Sequence, residues 1–164
     1  MTTRVVVIGA SSSGKSTIGR RVADRLDATF LDADDFHPAE NVAKMSAGTP
    51  LDDDDRAPWL ARLRDELAVR DSVVLACSAL KRDYREVLRG AGGVTFVYLE
   101  IDESTARQRA ERRAGHFMRA DMIESQFDTL EPPAPDETDV VTVDAHPAID
   151  DVVEATIDAL ATNR

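Results

Sequence analysis

Short apolar runs alternate along this chain with stretches of helical period. Residues 5–8 (Val-Val-Val-Ile) form one such run. In the following segment, 16–26, Ile18, Val22, Ala23 and Leu26 share one helical face. Phe30-Leu31 reads as a short second strand. Trp59, Leu60, Leu63 and Leu67 recur at helical spacing, with Pro58 suited to a first turn. The unbroken run 73–76 is that of a strand buried on both faces. Leu80, Tyr84, Val87 and Leu88 mark a helix that ends near Gly90. Residues 94–99 and 140–143 read as strands, and Ile149, Val152, Val153, Ile157 and Leu160 as the last helix.

This alternation predicts an α/β fold of three layers: a five-stranded parallel sheet with helices on both faces, in one domain over 1–164. Right-handed crossovers then place the loops after the strands along one edge, where open α/β sheets bind ligands. Chemistry is therefore expected just after each strand.

Composition narrows the class. Hydrophobic residues at 43% and charged residues at 31% are an ordinary globular balance. The formal net charge of -11 argues against nucleic acid or an anionic membrane as partner, since both reward Lys/Arg surfaces. A phosphate ligand remains compatible, because it needs only local cations and backbone N–H groups. No apolar run reaches the roughly 20 residues of a membrane span. The first strand begins without a signal-peptide pattern, and Cys77 is the sole cysteine, so a cytoplasmic protein is expected.

The residues after the first run fit a phosphate loop. Gly9-Ala10-Ser11-Ser12-Ser13-Gly14-Lys15-Ser16 matches G-x-x-x-x-G-K-[ST] at every defined position, between a strand and an amphipathic helix. Small residues let successive N–H groups turn toward phosphate oxygens, and the helix adds its N-terminal dipole. Lys15 can reach the β- and γ-phosphates of ATP, and Ser16 can ligate Mg²⁺. Gly9, Ser11, Ser12, Ser13, Gly14, Lys15, Ser16 and Thr17 are the nucleotide-binding candidates in this loop.

The second strand runs into Asp32, Asp34 and Asp35. Acids two apart at a strand end can point the same way into the crevice. Asp32 is assigned to a Mg²⁺-bound water and Asp34 to the proton of an attacking hydroxyl. Asp35 is expected to cap a helix. His37 either faces substrate or only bonds to the turn. Cys77 lacks a general-base partner and reads as a packing residue.

The stretch 31–38, Leu-Asp-Ala-Asp-Asp-Phe-His-Pro, resembles the gluconate kinase (gluconokinase) family, small P-loop kinases related to the shikimate and nucleoside monophosphate kinases. The likeness continues through Asn41–Met45 as Asn-Val-Ala-Lys-Met, then 48–51, 53–56 with Pro58-Trp59-Leu60, 77–81, Tyr84-Arg85, 115–117, 126–131 and Asp136-Glu137. It covers nearly the whole chain in order. It implies transfer of phosphate from ATP to D-gluconate, giving 6-phosphogluconate for the pentose phosphate pathway, with Mg²⁺ and as a homodimer. Ser12 and Ala33 stand where the family often has glycine.

A gluconate site needs a cation for the carboxylate and fixed groups for the hydroxyls. Lys44, Arg56, Lys81 and Arg85 are the cations in the matched blocks, with Lys44 and Arg85 equally readable as solvated helix positions. Arg56 is the first choice for a bidentate grip. Asp34, Asp53 and Ser78 can take hydroxyls, and His116 joins the substrate candidates. Asp52 and Asp54 read as a cap of the Trp59 helix. Residues 107–127 match the lid of this kinase class, a mobile helical element that carries arginines. Arg109 is placed against adenine or phosphates and Arg113, with Lys15 and Asp34, among the catalytic groups. The loop Asp144-Ala145-His146-Pro147 is expected near adenine. The substrate-binding region is expected over about 34–60.

Other readings differ in visible features. Shikimate kinases carry a Gly-rich turn after the third strand, where this chain has Cys77-Ser78-Ala79-Leu80-Lys81. No N-K-x-D follows a strand, which disfavours a GTPase. A non-catalytic ATP-binding module is disfavoured by Asp34 beside the phosphate loop.

Overall fold

The computed structural model describes residues 2–112 and 120–163. Its elements are β1 (Thr3–Ile8), α1 (Lys15–Leu26), β2 (Thr29–Asp32), a 3₁₀ turn (Ala33–Phe36), α2 (Ala39–Ser46), α3 (Asp53–Ala68), β3 (Ser72–Ala76), α4 (Arg82–Arg89), β4 (Val94–Glu100), α5 (Glu103–Arg112), α6 (Ala120–Thr129), β5 (Val140–Asp144) and α7 (Ile149–Thr162). The five strands form one parallel sheet in the order β2-β3-β1-β4-β5. The chain order reverses beside β1, so β1 and β3 frame the crevice at their carboxyl ends, as expected for this class of sheet.

Strand alternation divides the core in two. Val5, Val7, Val74 and Val97 face a cluster with Ile18 and Val22 of α1 and Val152 and Val153 of α7. Val6, Ile8, Leu75 and Phe96 face the other cluster, with Trp59, Leu60 and Leu63 of α3 and Leu88 of α4. Both faces of the central strands are therefore apolar, which is why their sequence shows continuous runs.

Two local expectations need correction. Helix α3 begins at Asp53, so Pro58 is its sixth residue and not part of a first turn. It forfeits a bond to the Asp54 carbonyl, and Asp54 lies exposed where water can replace the donor. The helix starts early because Asp52 and Asp55 form a capping box, each side chain accepting from the other's backbone N–H at 2.7 and 3.0 Å. Second, Asp35 caps nothing: Asp32 caps the 3₁₀ turn, accepting from Asp34 N–H at 3.0 Å. Helix α2, which the periodicity did not indicate, carries no apolar stripe, with Val42 and Met45 exposed and Asn41 buried.

Candidate active site

The phosphate loop leaves β1 through Gly9, whose φ of +152° and whose neighbour Leu99 leave no room for a side chain: a Cβ would lie 2.9 Å from the Leu99 carbonyl oxygen. Gly14 closes the loop at φ +92° and leads into α1. Ser12, one of the departures from the family pattern, has φ +66°, a left-handed conformation that costs a non-glycine residue roughly 1–2 kcal/mol. The Ser12 and Ser13 hydroxyls are buried and, with Arg107 Nε, are the buried side-chain polar atoms without a hydrogen-bond partner among the described residues. Two orphan hydroxyls in a loop of inward-turned amides fit a polyphosphate chain. Lys15 Nζ lies over the loop, 3.3 Å from the Ala10 carbonyl oxygen.

A cleft of about 340 Å³ opens beside this loop, bounded by Ser13, Gly14, Thr17, Arg109, His146 and Pro147. Arg109 spans it, donating to the carbonyl oxygens of Ser12 (3.3 Å), Ala145 (2.6 Å) and His146 (3.2 Å). The α5 arginine, the phosphate loop and the loop after β5 thus meet at one place, where adenine and its phosphates were expected. His146 is held between two carboxylates, Asp144 (2.5 Å) and Asp102 at the start of α5 (2.7 Å). The hydrogen bonds to Asp102 and Asp144 raise its pKa.

On the other side of Lys15 stand the carboxylates. Ser16 Oγ donates to Asp32 Oδ2 at 2.9 Å, which puts two hard oxygen ligands together beside the phosphate loop. That donor pair fits Mg²⁺, which takes few protein ligands and completes its shell with phosphate and water. Asp34 stands in the 3₁₀ turn that follows β2, two residues past Asp32. Its carboxyl is held above the ordinary range, first by the surrounding protein and then by Asp32, with Lys15 pulling the other way. With 88% of the side chain open to water, solvation limits that push.

Further along the edge, Asp53, Arg56, Lys81 and Tyr84 form one cluster. Tyr84 donates its hydroxyl to Asp53 Oδ1 at 2.6 Å, and Arg56 Nη1 donates to the Tyr84 oxygen at 3.0 Å. Lys81 Nζ lies 3.5 Å from Asp53, and both cations approach the Tyr84 ring. Ser78 is close to the phosphate loop, its carbonyl oxygen accepting from Gly9 N–H at 3.4 Å.

The expected acceptor set is only partly gathered here. Lys44 is committed to Asp55, at 2.8 and 3.0 Å, joining α2 to α3. Arg85 is a correction: its side chain is 1% exposed and turned inward to Glu137 (2.8 and 3.0 Å) and the carbonyl oxygens of Ala79 and Leu80. A cation sealed on the buried face of α4 cannot reach a ligand in the crevice. Arg113 and His116 lie outside the described residues. Cys77 is buried with its thiol pushed up to about 12 by burial, which keeps it a packing residue.

Sequence reasoning missed four contributors. Tyr84 served only to mark a helix because it recurs with apolar residues, yet its hydroxyl joins the crevice cluster. Trp59 is core on one side, but its ring stacks on His37 at 4.2 Å and its Nε1–H donates to the Ala33 carbonyl at 2.8 Å. Asn41 touches His37 Nδ1 at 3.2 Å. Gln126 Oε1 accepts from Ser11 N–H of the phosphate loop at 2.6 Å. Asn41 and Gln126 fell within matched sequence blocks, the one available signal; their partners are distant in sequence or hidden by burial.

A phosphate loop at the end of the first strand of a 2-3-1-4-5 parallel sheet defines the class, a P-loop nucleotide-binding protein of the kinase type. A family model described as an AAA domain matches residues 5–133. The thermosensitive gluconokinase of Escherichia coli K12 is 46% identical over 154 residues, which span 91% of this chain and 82% of that protein. A crystal structure of a gluconokinase from Sinorhizobium meliloti superposes with a TM-score of 0.92 at 42% identity, covering 98% of this chain and 92% of that one. The shikimate kinase of Acinetobacter baumannii, in complex with shikimate, shares the fold: TM-score 0.69, 20% identity, 100% and 96% covered. The chain belongs to the gluconokinase family.

Proposed function

We propose that the protein transfers the γ-phosphoryl group of ATP to the 6-hydroxyl of D-gluconate, giving 6-phosphogluconate and ADP. The observation that carries the acceptor side is the Asp53–Tyr84–Arg56–Lys81 cluster, which sets two cations and a hydroxyl on the crevice edge beyond Asp34. The likeness to gluconokinases at 42–46% identity supports the choice of acid. Arg56 and Lys81 take the carboxylate, and Asp53, Ser78 and Asp34 take hydroxyls. Asp34 receives the proton of the attacking hydroxyl. Gly9, Ser11 to Gly14 and Lys15 hold the phosphates, Thr17, Arg109 and Pro147 line the nucleotide cleft, and Arg113 of the lid segment 107–127 stabilises charge on the transferring group. Ser16 and Asp32 would hold Mg²⁺, which neutralises phosphate charge when bound. The setting is cytoplasmic, in keeping with a single buried thiol, and the assembly a homodimer. Among the described residues no helix is long and apolar enough to cross a membrane.

The test is ADP release across D-gluconate, other sugar acids, shikimate and nucleoside monophosphates. Turnover on D-gluconate is expected to exceed the others by orders of magnitude. Preferred turnover on shikimate or a nucleotide would overturn the reading. Lys15→Ala should abolish transfer with the fold intact, and normal turnover by that variant would remove the ATP site from Lys15.

A further inference from the structure

His37 lies beside Asp34, yet hydrogen-bond accounting gives it a more specific state than burial alone. Asn41, 3% exposed, sets its Nδ2 3.0 Å from the Asp55 carbonyl oxygen and 3.2 Å from His37 Nδ1. A carbonyl oxygen only accepts, so the amide must present NH₂ to Asp55. The flipped amide would place two oxygens 3.0 Å apart with little access for water. The remaining Nδ2–H then points at His37 Nδ1, which must accept. The single ring proton of neutral His37 therefore sits on Nε2.

The ring cannot easily turn away. Its side chain is 4% exposed and stacks on Trp59 with an interplanar angle of 14°. Burial holds the His37 pKa below the usual imidazole range, Asp34 works against this, and the positive charge of Arg56 adds to it. Nε2 faces Asp34 Oδ1 at 4.0 Å. That is too far for a direct hydrogen bond, but one oxygen atom between them can lie about 2.8 Å from each.

We propose that His37 is a hydroxyl-positioning group whose neutral Nε2–H donates to the acceptor's hydroxyl oxygen while Asp34 accepts that hydroxyl's proton, with Asn41 as the positioning residue that fixes the tautomer. The inference rests on the hydroxyl-phosphorylating reading above. The oxygen would keep one lone pair for phosphorus. In the transfer the new O–P bond forms, the bond from γ-phosphorus to the β,γ-bridging oxygen breaks, its electron pair leaves with ADP, and the proton goes to Asp34. A neutral donor orients the oxygen without pairing to Asp34 as an ion, so the carboxylate stays available.

Nitrogen-15 NMR of the intact protein near neutral pH reads the tautomer directly and needs no acceptor. Protonated Nε2 with bare Nδ1 is expected; an Nδ1–H tautomer or an imidazolium overturns the proposal. Asn41→Asp, which offers Nδ1 an acceptor, should move the ring proton to Nδ1 and lower kcat roughly 10-fold or more, with KM for ATP unchanged. His37→Ala should lose about 100-fold in kcat, and His37→Gln, whose amide nitrogen can stand near Nε2, should recover most of that loss. Equal kcat in wild type and His37→Ala overturns the role whatever the Asn41 variant does. Failure of the substrate reading would show instead as turnover on another acceptor, on which the same ratios are measured.

Discussion

Gln126 Oε1 accepts a hydrogen bond from Ser11 N–H at 2.6 Å, tying α6 to the phosphate loop across 115 residues of sequence. The bond fixes one amide of the loop. Gln126→Ala frees that amide and loosens the tie to α6. KM for ATP is expected to rise about 3–10-fold, the equivalent of one hydrogen bond, with kcat less affected. Steady-state kinetics in ATP checks this, and an unchanged KM would mean the bond is replaced by nucleotide at no cost.

Arg56 donates to Tyr84, and Tyr84 to Asp53, so the cluster holds its geometry through one phenol. Arg56→Ala should raise KM for gluconate on the order of 10–100-fold, as loss of a charged hydrogen bond implies. Tyr84→Phe removes the shared hydroxyl and should raise it less. KM for ATP should stay constant in both variants, which separates this cluster from the nucleotide cleft.

Glu137 is the buried centre of a stabilising network. It accepts from Arg85, Arg89 and Ala134 N–H at 2.7–3.0 Å, and the hydrogen bond from Arg85 contributes most to holding its pKa down to about 2. Glu137→Ala strands Arg85 in the interior and should cost about 3–5 kcal/mol in denaturant unfolding. A carboxyl whose folded pKa is depressed from 4.5 contributes stability fully above that value. The contribution is lost as pH falls toward 2, so the variant should lose less stability than wild type on acidification over that window.

His146 has the opposite sign. Its pKa is raised above 6.5 by Asp102 and Asp144, so its clamp is present below 6.5 and lost as pH rises through the folded value. The two carboxyls are depressed below 3.8 and fail only in acid. All three groups are well exposed, so the effect is small and screened by salt. KM for ATP is expected to rise as pH goes from about neutral into the alkaline range in wild type, and to respond less in His146→Gln.

The sheet, helices α1, α3, α4 and α7 and the phosphate loop were legible from the residues alone. Those features rest on periodicity and on local backbone needs: an apolar run such as 73–76 requires two covered faces, and Gly9 and Gly14 supply angles that other residues resist. Asp52 was legible as an acidic cap, but not its partner Asp55, which stands where Asp54 was expected, nor the early start of α3, since Pro58 suggested a first turn. The fate of each polar side chain was set by packing between segments distant in sequence. Arg85 and Arg56 have the same chemistry, yet Arg85 sits on the buried face of α4 against Glu137 while Arg56 opens onto the crevice. Tyr84, Asn41 and Gln126 gained their roles from partners 4 to 115 residues away, and Trp59 from the ring it supports. The physical reason is that a polar side chain's function depends on burial and on which partner satisfies it, and both are set by packing between distant segments.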